Sequence, residues 1–353
     1  MKMFKKLALS SALALSLTGN AFAADVVIGV PNWISVTAMA HLVKAVFEDN
    51  LGLEVELQNA TNPIVFEAMD KGTMDIHPEV WLPNQQNLYN TYVEEKGSVV
   101  KAPNAVIAFQ GLCSTKMTAE KHGITSVSDL TDPTKSKLLD KDGDGKGDLW
   151  IGATGWASTN VEKIKAKSYG YDQTLSLIEM DETLAMAELD AAVAQNQPHV
   201  FVCWTPHHMF GLHDLVVLEE PAHDPAKWNV IQPTDDPDWL AKSSAPVAWS
   251  DTYLHIHYAK ALADKQPQAA QILENLKVST DQVSDMVFEM TVNKVSGEDV
   301  ARKFIEENGD LVDSWLYAAP RRPDFVVPRG APQRAPRILS GSLLAAHRSE
   351  AES

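Results

Sequence analysis

Residues 25–57 decide the fold class and read DVVIGVPNWISVTAMAHLVKAVFEDNLGLEVEL. The apolar run over 25–30 predicts a β-strand, and apolar residues spaced three and four apart over 36–48 predict an α-helix. Residues 53–57 alternate between apolar and polar side chains, which predicts a second strand. A strand, a helix and a strand in this order indicate the α/β class, with a mainly parallel sheet covered by helices.

The same alternation continues along the chain. Residues 64–69 predict a short helix, and 72–80 lead into a third strand. In sheets of this kind, ligands bind in loops beyond the carboxyl ends of the strands. A second series of elements begins after Gly111, and its strands are marked by Gly152, residues 175–178 and residues 200–203.

The length of the chain predicts two lobes, because roughly 300 residues exceed the usual size of one hydrophobic core. We expect lobe 1 to comprise residues 24–110 and 246–319, and lobe 2 to comprise residues 111–245. A ligand would then bind in the cleft between the lobes. Residues 320–353 carry six arginines against three acids and are rich in Pro, Ser and Ala, so we expect a disordered tail.

Residues 1–23 read as a secretory signal peptide. Lysines precede the apolar stretch at 7–17, and Ala21-Phe22-Ala23 supplies the small-residue pattern of a cleavage site. The apolar stretch is shorter than the roughly 20 residues that span a bilayer. We therefore expect an exported periplasmic protein rather than one held by an uncleaved anchor.

The charge of the chain excludes some partners. There are 47 acidic and 30 basic residues, a formal net charge of -17. Such a surface repels nucleic acid and anionic lipid, although acidity alone also serves solubility. We expect a monomer that binds no nucleic acid.

Two cysteines, Cys113 and Cys203, are too few for a disulfide framework. An oxidising compartment would permit one bridge between them. Small thiols in predicted strands are also typical of ordinary buried residues. We favour two unbridged, buried cysteines.

Four of the nine tryptophans lie beside turn residues at the ends of predicted strands, whereas Trp150, Trp228, Trp239, Trp249 and Trp315 are expected to be structural. In an α/β architecture such loops face one cleft, so the four indoles are predicted to converge. Indole faces attract a methylated ammonium ion by about 2 kcal/mol or more per ring when water is excluded. The alternative is ordinary packing, the usual role of large aromatic residues. The four residues are Trp33, Trp81, Trp156 and Trp204.

Four motifs resemble those of the glycine betaine and proline betaine binding proteins of ABC importers. They are EVWLP at 79–83, LDKDGDGKGDL at 139–149, GW at 155–156 and FVCWTP at 201–206. The resemblance covers most of residues 24–320. It implies a two-lobed type II periplasmic binding protein fold, importer membrane subunits as partners, and lobes joined by crossing strands near 110–114 and 245–248. It also implies that Trp81, Trp156 and Trp204 cage a trimethylammonium group.

The chain departs from the family pattern at the polar end of the ligand. Gln85 stands where such receptors can use a His, and Ala157-Ser158 follow Trp156 where backbone amides serve the ligand carboxylate. Trp33 adds a fourth wall. A closed box fits a ligand with a small polar group, so the chain looks most similar to the trimethylamine N-oxide receptors of the family. Glycine betaine and choline are the alternative ligands.

An N-oxide oxygen needs a hydrogen-bond donor from the site. The candidates are the amides of Ala157 and Ser158 and the side chains of Gln85 and Asn32. Glu79 and Asp75 precede Trp81 and would add negative potential for a cation. We favour the alternative that these two are solvated acids at a strand end.

Residues 140–148 read DKDGDGKGD and reproduce the first nine positions of an EF-hand calcium loop. Gly145 occupies the sharp turn at position six, and Ile151 replaces the bidentate Glu at position twelve. We predict a structural Ca²⁺ site, with an Asx-rich turn without metal as the alternative. The ligands would be Asp140, Asp142, Asp144, the Lys146 carbonyl and Asp148.

Two other classes of protein are less well supported. A metal-dependent hydrolase would use histidines, but His77, His207-His208, His255 and His257 are scattered and match no catalytic motif. An amino-acid receptor would need an Arg for the ligand carboxylate, and the first arginine of the chain is Arg302.

Overall fold

The computed structural model describes residues 24–317. The predicted signal peptide at 1–23 and the predicted tail at 320–353 lie outside the described residues. The strands are β1 (Val26–Val30), β2 (Val55–Asn59), β3 (Ile76–Leu82), β4 (Val99–Lys101), β5 (Val106–Thr115), β6 (Gly147–Gly152), β7 (Leu175–Glu179), β8 (Val200–Thr205), β9 (Leu215–Val217) and β10 (Thr252–Ala259).

Helices cover the sheet. They are α1 (Ile34–Leu51), α2 (Asn62–Lys71), α3 (Gln86–Tyr89), α4 (Lys116–His122), α5 (Pro133–Ser136), α6 (Ala157–Tyr169), α7 (Glu182–Gln195), α8 (Met209–Leu212), α9 (Trp239–Lys242), α10 (Lys260–Lys265), α11 (Pro267–Asn275), α12 (Thr280–Thr291), α13 (Gly297–Glu307) and α14 (Gly309–Leu316). Each strand and helix predicted between residues 25 and 80 is confirmed, with its ends moved by a few residues. The strands predicted at Gly152, 175–178 and 200–203 are also confirmed.

The strands form a mixed sheet in the order β2-β1-β3-β10-β5-β8-β6-β7. At one end β1 is parallel to β2 and β3, and at the other β6 is parallel to β7 and β8. Between these two parallel groups, β10 and β5 run antiparallel to their neighbours. The predicted parallel sheets are therefore present as two groups, and antiparallel strands join them.

Strand β5 belongs to both groups. Its first residues, 106–108, pair with β10, and residues 109–114 pair with β8. The crossing strand expected near 110–114 is thus found within β5. The second expected crossing, at 245–248, is not a strand: β10 begins only at Thr252, and the Ala248 N–H donates to the Pro221 carbonyl at 2.8 Å. Pro246 has no N–H for a ladder, which explains the irregular backbone.

Helix α1 is buried on most sides and fixes the chain that follows β1. It packs against β3, α12 and α13, and its buried residues include Val36, Leu42 and Phe47. A helix that is apolar around most of its circumference is held inside a protein. Gly52, in a left-handed conformation with φ of 65°, ends the helix by donating its N–H to the Glu48 carbonyl. Helix α1 is therefore held by its burial against β3, α12 and α13.

Cys113 in β5 and Cys203 in β8 form a disulfide, with their Cα atoms 5.7 Å apart. The prediction of two unbridged cysteines is wrong. The two residues lie 90 positions apart in sequence, so only the antiparallel pairing of β5 with β8 brings them together. Among residues 24–317, none of the helices combines the length and apolar character that crossing a membrane requires.

Candidate ligand-binding site

The four predicted tryptophans meet at the carboxyl ends of the parallel strands and line one cavity. Trp33 follows β1 and Trp156 follows β6, each as the residue that precedes a helix. Trp81 and Trp204 are the penultimate residues of β3 and β8. Each is at most 9% exposed. The two parallel groups therefore contribute one loop indole and one strand indole each. The expectation that all four lie in loops is wrong for Trp81 and Trp204.

The indole rings meet nearly at right angles. The ring centroids of Trp156 and Trp204 are 5.6 Å apart with planes at 88°, and those of Trp33 and Trp156 are 6.2 Å apart with planes at 85°. Edge-to-face contacts of this kind are the favoured geometry of aromatic pairs. Perpendicular rings form the corners of a box whose walls are π faces.

Glu79 fixes the two tryptophans of the first parallel group. Its Oε1 accepts hydrogen bonds from Trp33 Nε1 at 2.7 Å, from Trp81 Nε1 at 2.8 Å and from Ser35 Oγ at 2.7 Å. The side chain is 2% exposed. The prediction that Glu79 is a solvated acid is wrong. Its neighbour in sequence, Asp75, is also buried, but it accepts the Val27 N–H at 2.8 Å and supports the sheet instead.

Burial raises the pKa of the Glu79 carboxyl to about 7, against the opposing effect of its three hydrogen bonds. The nearby Glu182 carboxylate raises the pKa of Glu79 further. Within the described part of the chain, Glu79 Oε2 is buried without a hydrogen-bond partner. When it is ionised, this carboxylate therefore places a negative charge, only partly offset by the three hydrogen bonds to Oε1, behind two walls of the box.

Gln85 is the predicted donor that faces the cavity. It is buried, and its Oε1 has no hydrogen-bond partner among residues 24–317. The neighbouring amides of Asn84 and Gln110, by contrast, bond to each other at 2.7 and 2.9 Å. Among the amide side chains around the cavity, Gln85 is thus the one whose oxygen, an acceptor, is unengaged. Donation to a ligand oxygen would use its N–H₂ group.

Ala157 and Ser158 line the cavity in the first turn of α6. The first N–H groups of a helix lack intrahelical partners and carry a partial positive charge. This end of α6 can therefore receive a ligand oxygen. Asn32, the other predicted donor, is exposed and does not line the cavity. Its Oδ1 accepts the Trp156 Nε1–H at 3.0 Å, so it orients a wall of the box.

The remaining tryptophans lie outside this cavity. Trp150 packs behind the box, 5.9 Å from Trp204 between ring centroids, and donates its N–H to the Met180 carbonyl. Trp228 and Trp249 pack on each other with centroids 5.2 Å apart, away from the box. These positions agree with the structural role that we expected for them.

The acidic loop brings three of its predicted metal ligands together. Carboxylate oxygens of Asp140, Asp142 and Asp148 all lie within 4.8 Å of one another. Asp144 is not part of this group. Its oxygens accept the Lys146 N–H at 2.7 Å and the Ser176 hydroxyl at 3.2 Å. The remaining predicted ligand is the carbonyl of Lys146.

The mixed sheet, the two parallel groups and the aromatic cavity at the strand ends define the class: the fold is that of type II periplasmic binding proteins. The family described as the substrate-binding domain of ABC-type glycine betaine transport systems matches residues 24–307. The chain belongs to that family. Its members are substrate-binding proteins of transporters and not enzymes, so the hydrolase hypothesis is wrong.

Two relatives span nearly the whole chain. The glycine betaine/proline betaine-binding periplasmic protein of Salmonella typhimurium is 24% identical over 321 residues, covering 88% of this chain and 93% of that protein. The trimethylamine N-oxide-binding protein of Pelagibacter ubique is 25% identical over 318 residues, covering 87% of this chain and 97% of that protein.

Two solved structures share the fold. Lactococcal OpuAC, closed and complexed with glycine betaine, is 18% identical with a TM-score of 0.64, covering 83% of this chain and 99% of that chain. An ABC-transporter choline-binding protein in complex with choline is 17% identical with a TM-score of 0.65, covering 82% of this chain and 91% of that chain. At these identities the likeness establishes the fold alone.

Proposed function

We propose that this protein is an exported, periplasmic receptor that binds trimethylamine N-oxide and delivers it to the membrane subunits of an ABC importer. It acts as a monomer. The observation that carries this proposal is the box of Trp33, Trp81, Trp156 and Trp204, whose walls come from both parallel groups of the sheet. Glycine betaine and choline are the alternative ligands.

A trimethylated nitrogen matches the walls of this box. It cannot donate a hydrogen bond, and its positive charge is spread over methyl groups. The indole faces supply both apolar area and a negative quadrupole, worth about 2 kcal/mol or more per ring when water is excluded. Glu79 adds negative potential, because it accepts the N–H groups of Trp33 and Trp81.

The polar end of the cavity favours a single oxygen atom. The first amides of α6, at Ala157 and Ser158, are the available backbone donors, and the N–H₂ group of Gln85 is the available side-chain donor. Gln85 stands where the betaine receptors that this chain resembles can use a His for the ligand carboxylate. Trp33 closes a fourth side, which leaves less room beyond the nitrogen. An N-oxide oxygen bonded directly to that nitrogen fits these features.

Calorimetric titration tests this proposal. The purified protein is titrated with trimethylamine N-oxide, glycine betaine, choline and carnitine, and we expect the tightest binding for the first. The variants Trp156→Ala and Trp204→Ala should abolish detectable binding. Trp239→Ala is the matched control, because Trp239 does not line the cavity. Tighter binding of glycine betaine or choline would reassign the ligand, and no binding of the four would refute the proposal.

We also propose that the loop at residues 140–148 binds a structural calcium ion. Oxygens held 2.3–2.6 Å from one Ca²⁺ lie at most about 5 Å apart. Carboxylate oxygens of Asp140, Asp142 and Asp148 satisfy this condition, because they lie within 4.8 Å of one another. Three carboxylates this close repel one another without a cation. The ion would brace the turn that leads through β6 to Trp156.

Thermal unfolding in calcium and in EDTA tests the calcium site. We expect calcium to raise the melting temperature of the native chain but not that of Asp142→Asn. Asp144→Asn is the matched control, since Asp144 lies in the same loop but outside the group of three carboxylates. Equal melting temperatures with and without calcium would refute the site.

A further inference from the structure

Glu182 is a buried acid that touches both parallel groups of the sheet. It is the first residue of α7 and is 7% exposed. Its Oε2 accepts the backbone N–H of Ile34, the first residue of α1, at 3.1 Å. Its Oε1 lies 2.9 Å from Nε2 of His207, which follows β8. One carboxylate thus bonds to the chain beyond β1 and to the chain beyond β8.

The tautomer of His207 follows from its hydrogen bonds. Its Nδ1 accepts the Met209 N–H at 3.0 Å, so Nδ1 carries no proton. Nε2 therefore carries the ring proton, and its N–H donates a hydrogen bond to the Glu182 carboxylate. The His207 ring is fully buried and meets the indole of Trp204 nearly at right angles, with centroids 4.8 Å apart.

Both arms of this bridge end at walls of the tryptophan box. Trp33 directly precedes Ile34 and is the residue from which α1 starts, with no side-chain cap of its own. Ile34 is the first residue of the helix, so its N–H has no acceptor within α1. The Glu182 carboxylate accepts this N–H instead. At the other end of the bridge, the His207 ring packs against the indole of Trp204.

We propose that Glu182 is a positioning residue that locks Trp33 and Trp204 into one ligand box by bonding to Ile34 and His207 simultaneously. This inference rests on the proposed function, because it concerns the site where the methylated amine binds. Glu182 itself does not line the cavity. Its charge also raises the pKa of Glu79, the acid that accepts the N–H groups of Trp33 and Trp81.

Only a carboxylate satisfies both partners. Ile34 N–H and His207 Nε2–H are both donors, and each needs an acceptor. A glutamine at this position has one acceptor and one donor. Either orientation of its amide turns an N–H₂ group toward another donor, so Glu182→Gln loses one of the two bonds while it keeps the size of the side chain.

The test compares Glu182→Gln with Asp190→Asn. Asp190 forms the same kind of pair with His213, at 2.8 Å between Oδ1 and Nε2, but it is exposed and away from the box. We expect Glu182→Gln to weaken binding of the methylated amine at least tenfold, and Asp190→Asn to change it less than twofold. Binding by Glu182→Gln within twofold of the native chain would overturn the inference.

A double-variant cycle separates positioning from general loss of structure. If Glu182 acts by holding Trp204, the affinity losses of Glu182→Gln and Trp204→Phe overlap, and the combined loss is at least threefold smaller than their product. Independent losses, whose product equals the combined loss, would show that Glu182 does not act through Trp204.

Hydrogen exchange tests the bridge without any ligand, so its result is independent of the proposed function. Because glutamine can keep only one of the two bonds, we expect at least one of the amides of Ile34 and Met209 to exchange at least fivefold faster in ligand-free Glu182→Gln than in the native chain. Asp190→Asn should leave both rates unchanged. Unchanged exchange at both amides would refute the bridge even if the native chain binds its ligand as proposed.

Discussion

Trp33 and Trp156 meet edge to face, with ring centroids 6.2 Å apart, although they follow strands in opposite parallel groups of the sheet. Asn32, next to Trp33, also accepts the Trp156 N–H. A ligand in the cavity therefore contacts indoles from both groups at once. Its binding energy stabilises this arrangement of the two groups over any arrangement in which they separate.

Trp33→Ala should weaken binding of trimethylamine N-oxide at least about 30-fold, because one desolvated wall contributes about 2 kcal/mol. Calorimetry measures the change, with Trp239→Ala as the control. We also expect the preference for trimethylamine N-oxide over glycine betaine to shrink, since the fourth wall limits the room beyond the nitrogen. An unchanged affinity would contradict a role for Trp33 in the box.

Glu79→Gln should remove a pH dependence of ligand binding. Burial raises the pKa of Glu79 to about 7, and a bound cation favours the ionised carboxylate. Native affinity for choline, whose charge is constant, should therefore rise as the pH increases from about 6 to 8 and then level off. The variant should bind more weakly at pH 8 with a flat profile. A flat native profile would show that the charge of Glu79 is not coupled to the ligand.

The same raised pKa predicts a stability trend in the ligand-free protein. Between the unfolded pKa of 4.5 and the folded pKa of about 7, the folded chain binds more protons at Glu79 than the unfolded chain. The Glu79 contribution to the free energy of unfolding is therefore full below pH 4.5 and decreases as the pH rises through 7. Urea unfolding measures the free energy of unfolding of the native chain and of Glu79→Gln at each pH. The native value should fall relative to the variant's value as the pH rises from 4.5 through 7. Parallel pH profiles would contradict it.

Gln85→Ala should discriminate between ligands with and without an oxygen. Gln85 is buried and lines the cavity, and the N–H₂ group of its amide can donate to a ligand oxygen. We expect affinity for trimethylamine N-oxide to fall about 5- to 10-fold, the value of one hydrogen bond. Affinity for tetramethylammonium, which has no oxygen, should stay unchanged. Equal losses for both ligands would indicate that Gln85 shapes the cavity instead of donating to the ligand.

The disulfide should contribute strongly to stability. Cys113 and Cys203 close a long loop, because 90 positions separate them. Their joint replacement by alanine should lower the free energy of unfolding by about 2–5 kcal/mol. Urea unfolding measures this loss, and dithiothreitol should destabilise the native chain but not the double variant. Insensitivity of the native chain to the reductant would contradict the bridge.

Much of the architecture could be predicted from local pattern. Helix α1 and the strands around it follow from hydrophobic periodicity, which depends on residues a few positions apart. The placement of Trp33 and Trp156 beyond strand ends could be predicted for the same reason. The irregular backbone at 245–248 was missed, although Pro246 was a visible sign against a strand.

The roles of the buried acids could not be predicted. Nothing in the sequence around Glu79 distinguishes a solvated carboxylate from one that accepts two indole N–H groups. Glu182 looks like an ordinary acid in the first turn of a helix, and its partners lie 148 and 25 positions away. Their burial is a consequence of packing between elements that are remote in sequence.

The sequence by itself determined the order of strands and helices, the four indoles at strand ends and the acidic loop, because each depends on the spacing of neighbouring residues. Only the tertiary structure decided which side chains form hydrogen bonds or a disulfide with each other. The disulfide, the Glu79 contacts and the Glu182 bridge all join residues from separate strands or helices. Such contacts depend on how the sheet and helices are assembled, and the distance between two residues along the chain carries no information about that assembly.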